Sequence, residues 1–142
     1  MKPLLGASLL AVSLSAVPIV SAGDNDVVKL VITTRNAKGR VLCGLHYSGS
    51  AFPGRGMDNA DVPIVGTTAS CAFRGAKPGT LAISAYHDEN DNKKLDKNLF
   101  GIPTEGYCTS RNAKGQLGPP KFDDAKFTYN GGPLDLSATM IY

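Results

Sequence analysis

"LAISAYHDENDNKKLD", residues 81–96, changes character halfway along. Its first half sets Leu81, Ile83 and Ala85 on one side of an extended chain, the two-residue period of a half-buried strand. Its second half, from Asp88, is a dense polar run broken only by Leu95. A strand of this kind needs partners with the same pattern, and the chain supplies them. "VVKLVITT" (27–34) alternates, "RNAKG" (35–39) is a turn, and "RVLCGLHYS" (40–48) reads as the return strand of a hairpin. "ASCAFRG" (69–75) is a further strand, followed by the proline–glycine turn "AKPGT" (76–80). "AKFTYN" and "LDLSATMIY" close the chain as strands around "GGP". From Gly49 to Asp61 the chain reads as loop, and "VPIVG" as a short edge strand, because proline inside a run is tolerated only at a sheet edge.

The long stretch from Asp88 to about Asp124 is too rich in glycine and proline for a helix, and a loop of that length in a compact domain is usually functional. Six or seven strands without an amphipathic helix predict an all-β fold. The expectation is an antiparallel β-sandwich of about seven strands, immunoglobulin- or transthyretin-like, with one long loop region.

The N-terminus bears on the compartment. Lys2 is the only charge before Asp24, "LLGASLLAVSLSAVPIV" is an apolar run rich in small residues, and "VSA" (20–22) suits a signal peptidase. Pro18 and the serines interrupt the roughly 20 apolar residues that a spanning helix needs. Residues 1–22 are therefore expected to be a cleaved signal peptide, and 23–142 a single domain, exported to the periplasm or secreted. Without Lys2, 14 basic and 12 acidic residues leave +2, a charge that implies no nucleic-acid partner and no membrane insertion. Three cysteines in an exported chain suggest one disulfide and one free thiol. Alternation points Cys43 and Cys71 toward apolar faces, which favours a Cys43–Cys71 bridge, with the two other pairings open. Cys108 is then a free, half-buried thiol in the glycine-flanked "EGYCTS".

Asp88, Asn90, Asn92 and Asp96 fall at positions 1, 3, 5 and 9 of a calcium loop of the EF-hand type. Side chains at that spacing converge when the backbone curls round a hard cation that takes six to eight oxygens. Lys93 stands where that loop needs glycine, Leu99 where it needs an acid, and Lys94 adds positive charge. Asp91 and Glu105 are the acids available to join. So few charges imply an affinity on the order of 0.1–1 mM. A competing reading has Asp88, Asn90 and Asn92 forming Asx-turns that satisfy the loop's own backbone. A third is a glycan-directed hydrolase with Asp88 and Glu105 about 5–9.5 Å apart across a cleft. Around them, however, no set of nucleophile, base and oxyanion donor can be filled. The two histidines, His46 and His87, are placed on strand faces opposite the core.

The segment "GTLAISAYHDENDNKKLDKNLFGIPTEGYCTSRNAKGQLGPPKFDDAKF" (79–127) resembles the bacterial domain of unknown function 2141 family. The match rests on the strand, the His-Asp-Glu-Asn loop ending in Leu-Asp, Gly-Ile-Pro-x-Glu-Gly-Tyr, and Gly-Pro-Pro-x-Phe. The resemblance implies an exported β-sandwich and assigns it no activity. It also implies glycine where this chain has Asp91, Lys93 and Cys108. It makes the polar loop and the "GIPTEG" segment one joint surface, with His87, Asp88, Glu89, Glu105 and Tyr107 as the candidate binding residues. The expected function is thus non-enzymatic: an exported domain whose loop binds calcium or docks a protein or glycan partner of the cell envelope.

Overall fold

The computed structural model describes residues 25–142, together with Pro3 and Gly6. The signal peptide expected over residues 1–22 otherwise lies outside the described residues. Eight strands form: β1 (Val27–Thr33), β2 (Arg40–His46), β3 (Asp58–Pro63), β4 (Thr68–Arg74), β5 (Gly79–Asp88), β6 (Tyr107–Thr109), β7 (Phe127–Tyr129) and β8 (Leu134–Thr139). One turn of 3-10 helix (Ser110–Asn112) and one of α-helix, α1 (Phe122–Ala125), interrupt the long irregular region.

The strands divide into two sheets, as the alternation demands. One has the order β4-β1-β8, and the other β3-β2-β5-β6, with β7 paired to the first residues of β5. Val28, Leu30 and Ile32 of the first sheet and Val41, Leu45, Leu81 and Ile83 of the second are completely buried between them. Each such side chain contributes about 1.5–3 kcal/mol, so a one-residue register slip, which would turn a whole set toward water, is strongly disfavoured.

The fold is the expected all-β sandwich, with corrections in detail. β1 and β2 are not a hairpin: β1 pairs with β4 and β8, whereas β2 pairs with β3 and β5. Each strand has a fully apolar face, and both faces are buried at once only if the strands oppose each other across the core. The pairing of β1 with β8 is parallel, whereas the others are antiparallel. β3 covers "DNADVP" in what reads as loop, and only its end reaches the expected edge strand. It is indeed at the sheet edge, where its exposed Asp58, Asn59 and Asp61 hide it from a hydrophobicity pattern.

Cys43 on β2 and Cys71 on β4 are joined, so the disulfide ties the two sheets through the core. Cys108 is free but not half-buried. It sits on β6 with 1% exposure, and burial pushes its thiol up to about 12. The bridge closes a 28-residue separation, so the Cys43→Ala/Cys71→Ala pair should lower unfolding free energy by about 3–4 kcal/mol. Urea denaturation checks this: an unchanged midpoint would mean that the bridge adds nothing to the packed core.

Candidate functional site

β5 ends at Asp88, which shares the outward parity of Tyr86, yet its carboxylate is fully buried against the loop that follows. It caps that loop: Oδ1 accepts the Asn92 N–H at 3.1 Å and Oδ2 the Lys93 N–H at 2.8 Å. Glu105, also buried, spans the loop from the other side. Its Oε1 accepts the Glu89 N–H at 3.0 Å and its Oε2 the Asp96 N–H at 3.2 Å. The side-chain amides of Asn90 and Asn92 donate to the Asp96 carboxylate at 2.6 and 2.9 Å, and Asn92 Oδ1 accepts the Lys94 N–H. Asp88, Asn90, Asn92 and Asp96 do come together, as their spacing predicts. What they hold is the loop's own backbone, the Asx-turn arrangement. Among the described residues, no group of three or more His, Cys, Asp and Glu is placed to hold a metal.

Two residues of this loop adopt left-handed backbone, Asp91 (φ 57°) and Lys93 (φ 61°), which are the positions where the resemblance implies glycine. Lys93 turns this to use. Its Nζ contacts Asp91 at 2.8 Å and reaches Asp61 on the edge strand at 2.9 Å. Arg40 also bonds Asp61, and the hydrogen bonds from Arg40 and then Lys93 hold that carboxyl below its usual range. The loop is thereby fastened to β3.

Both histidines correct the expectation of solvated strand faces. His87 shares the inward parity of Leu81, Ile83 and Ala85 and is fully buried. Its Nε2 lies 2.6 Å from the Lys38 carbonyl, which only accepts, so Nε2 donates there, and Nδ1 lies 2.7 Å from the Tyr142 hydroxyl. His46 does point away from the core, but Phe52 covers it edge-on and its Nε2 lies 2.9 Å from Ser84 Oγ. Burial lowers its pKa.

The candidate binding surface therefore splits. His87, Asp88 and Glu105 are buried, and Glu89 is half-buried against Arg35 at 2.6 Å. Of these five, Tyr107 alone opens onto a trough of about 1140 Å³ across the outer face of β3, β2, β5 and β6. The sequence pattern misses this trough because its walls come from three distant segments, Pro53–Arg55, Lys93–Pro103 and Leu117–Pro120. One signal was available. Phe100, Ile102 and Leu117 are large apolar side chains in loops, all three exposed and all three lining the trough. Its floor carries Tyr86 and Tyr107, directly opposite each other on β5 and β6.

A family model described as "Uncharacterized protein conserved in bacteria (DUF2141)" matches residues 30–137. The chain belongs to this family. Comparison with curated proteins and with solved structures finds no match. The matched span takes in both sheets' central strands, the self-capped loop and all three trough walls, so the trough belongs to the DUF2141 domain itself.

The loop's two devices respond differently to mutation. Asp88→Asn keeps the shape but retains one oxygen for two N–H donors, and should cost about 1–3 kcal/mol. Lys93→Gly relieves about 1–2 kcal/mol of left-handed strain and gives up exposed ion pairs worth about 0–1 kcal/mol each. It should leave stability unchanged or slightly raised. Thermal and urea unfolding measure both, and a Lys93→Gly protein clearly less stable than wild type would show that the ion pairs outweigh the strain.

Proposed function

We propose that this DUF2141 chain is an exported, non-catalytic binding domain that docks a partner of the cell envelope in the trough. One observation carries the reading: the trough's polar groups divide into those the fold uses and those it leaves unused. Asn59 is closed on the Gly56 backbone, Thr109 on carbonyls of Ser110 and Ala113, and Ser84 on His46 and Gly54. Of the five tyrosines, Tyr47, Tyr129 and Tyr142 have hydrogen-bonded hydroxyls, whereas Tyr86 and Tyr107 have none among the described residues. Unengaged phenols on a half-buried floor, beside exposed Phe100 and Ile102, are what a docking surface requires.

Export is supported by the pattern of residues 1–22 and by the Cys43–Cys71 bridge, since disulfides persist in oxidising compartments. The hydrolase reading draws less support. Asp88 and Glu105 have each committed both oxygens to backbone N–H groups, and neither lines the trough. The test is co-sedimentation of the purified protein with insoluble bacterial envelope material. Wild type should pellet, the Tyr86→Ala/Tyr107→Ala variant should stay in solution, and Lys29→Ala on the opposite sheet should behave as wild type. A floor variant that pellets as well as wild type overturns the proposal.

Calcium is a second reading, favoured by the convergence of Asn90, Asn92 and Asp96. Rotation of each amide by 180° presents its oxygen, giving four oxygens with the Asp96 carboxylate. A calcium ion takes at least six, so water or backbone carbonyls would complete the set while Asp88 keeps its two N–H bonds. With an affinity near 1 mM, 10 mM calcium should stabilise the protein by about 1.4 kcal/mol and raise its melting temperature by roughly 5 °C. Differential scanning calorimetry against a chelator decides this reading, and coincident curves end it.

A further inference from the structure

The charge around the trough goes beyond the docking proposal, on which the following rests. Four cations line it, Arg55, Lys93, Lys94 and Lys97, against a single acid, Asp61. Lys93 and Arg40 already share that acid. Among the described residues Arg55, Lys94 and Lys97 have no ion-pair partner, although Lys29, Arg35, Arg40, Lys93 and Lys126 all do. Six further cations without an ion pair, Lys38, Arg74, Lys77, Arg111, Lys114 and Lys121, lie elsewhere on the described surface, but the trough itself carries four cations to one acid beside the two unengaged tyrosine hydroxyls. We infer that the occupant is an acidic polysaccharide, a chain of pyranose rings bearing carboxylate or phosphate groups.

Three features select this class. At about 1140 Å³ the trough exceeds the roughly 300–1000 Å³ of sites for single small molecules, so it suits a run of several sugar units. Tyr86 and Tyr107 are cross-strand partners that both line the trough, so two aromatic side chains are available to the C–H faces of sugars, with hydroxyls free to bond their oxygens. Burial, with the charges of Asp88 and Glu105, pushes the Tyr86 pKa upward, so that hydroxyl remains a donor at neutral pH. The rim cations then meet the chain's anionic groups.

The same arrangement disfavours other polymers and lipids. A peptide recognised through its backbone adds to a sheet edge, whereas the trough lies across a sheet face whose strands are already paired. An acyl chain needs an apolar interior with charge at the mouth. Here the tyrosines form the floor, and the apolar Phe100 and Leu117 stand exposed in the loop walls. A single-stranded nucleic acid stacks successive bases on aromatic side chains spaced along its path, and this floor offers only Tyr86 and Tyr107, side by side across two strands.

The experiment is isothermal titration of the full-length purified protein with four probes: polygalacturonate, phosphorylated dextran, neutral dextran and oligo-dT. At least one of the two acidic glycans should bind, weaken with added salt, and bind more tightly than dextran and oligo-dT. Lys94→Ala/Lys97→Ala removes two exposed charges and should weaken that binding roughly tenfold without altering the melting temperature. Tyr86→Ala/Tyr107→Ala should abolish it. Dextran binding as tightly as the acidic glycans, and lost in the tyrosine variant, would overturn the acidic class and leave the docking trough standing. Acidic glycans bound equally by wild type and the tyrosine variant would place binding outside the trough and overturn both proposals. Preference for oligo-dT, or no binding by either acidic glycan, would overturn the acidic-polysaccharide assignment, with envelope co-sedimentation judging the trough separately.

Discussion

The long loop after β5 exists as an ordered object because two buried carboxylates accept backbone N–H groups from within it. Asp88 takes those of Asn92 and Lys93, and Glu105 those of Glu89 and Asp96. Four backbone donors are satisfied by four carboxylate oxygens, the Asn92 N–H being shared with Asn90 Oδ1 at 3.3 Å. Hydrogen bonds to ionised acceptors are worth about 1.5–3 kcal/mol each. Each such bond offsets the roughly 1–2 kcal/mol of backbone entropy lost on fixing one residue, and the loop's further hydrogen bonds offset part of the rest. Glu105 lies 16 residues beyond Glu89 and so closes the segment as a ring rather than a turn. Everything that stands on the segment, including the trough wall from Lys93 to Pro103, inherits its geometry from these contacts.

The trough is in turn a consequence of the sandwich. Two sheets that bury one face each leave an outer face to be covered or exposed. On the β4-β1-β8 side, Ser70, Ala72 and Thr139 are simply exposed. On the other side, α1 and the Phe52 loop cover the early half of β5, where Ala82 packs with Ala113 and Ala125 beneath Phe52 and Phe122. Glycine at position 44 lets the loop come close, since a β-carbon there would lie 2.8 Å from the Gly56 nitrogen. The cover stops short of Tyr86 and Tyr107, and the trough is the gap that remains. The site is thus set by where the covering segments end as much as by what lines it.

How much of this could be read from the residues follows from the range of each interaction. Strands β1, β2, β4 and β5 were legible because a two-residue alternation is local and each buries one clean apolar face. β3 was not, because Asp58, Asn59 and Asp61 carry no hydrophobic signal, and only pairing with β2 makes it a strand. The β1–β2 hairpin failed because a turn sequence does not record whether the chain reverses within a sheet or crosses between two. The Cys43–Cys71 pairing was legible from strand parity. Parity also places His87 inward, against what its polarity suggests, and a buried histidine is acceptable wherever both ring nitrogens find partners. In the site, spacing brought Asp88, Asn90, Asn92 and Asp96 together correctly but left open whether they hold a cation or their own backbone. The trough walls, separated by dozens of residues, leave no periodic trace.

Lys93 shows how the loop and the trough depend on each other. A lysine in left-handed backbone is disfavoured by about 1–2 kcal/mol relative to an ordinary conformation, and glycine would remove that cost. Glycine could not, however, bridge to Asp61, and that bridge joins the loop wall to the outermost strand of the trough floor. The bridge also occupies the one acid lining the trough, which Arg40 holds from the other side. With Asp61 so engaged, the field along the rim is set by Arg55, Lys94 and Lys97 without an opposing carboxylate. Backbone strain at one residue therefore serves both the position of the wall and the sign of the surface it presents.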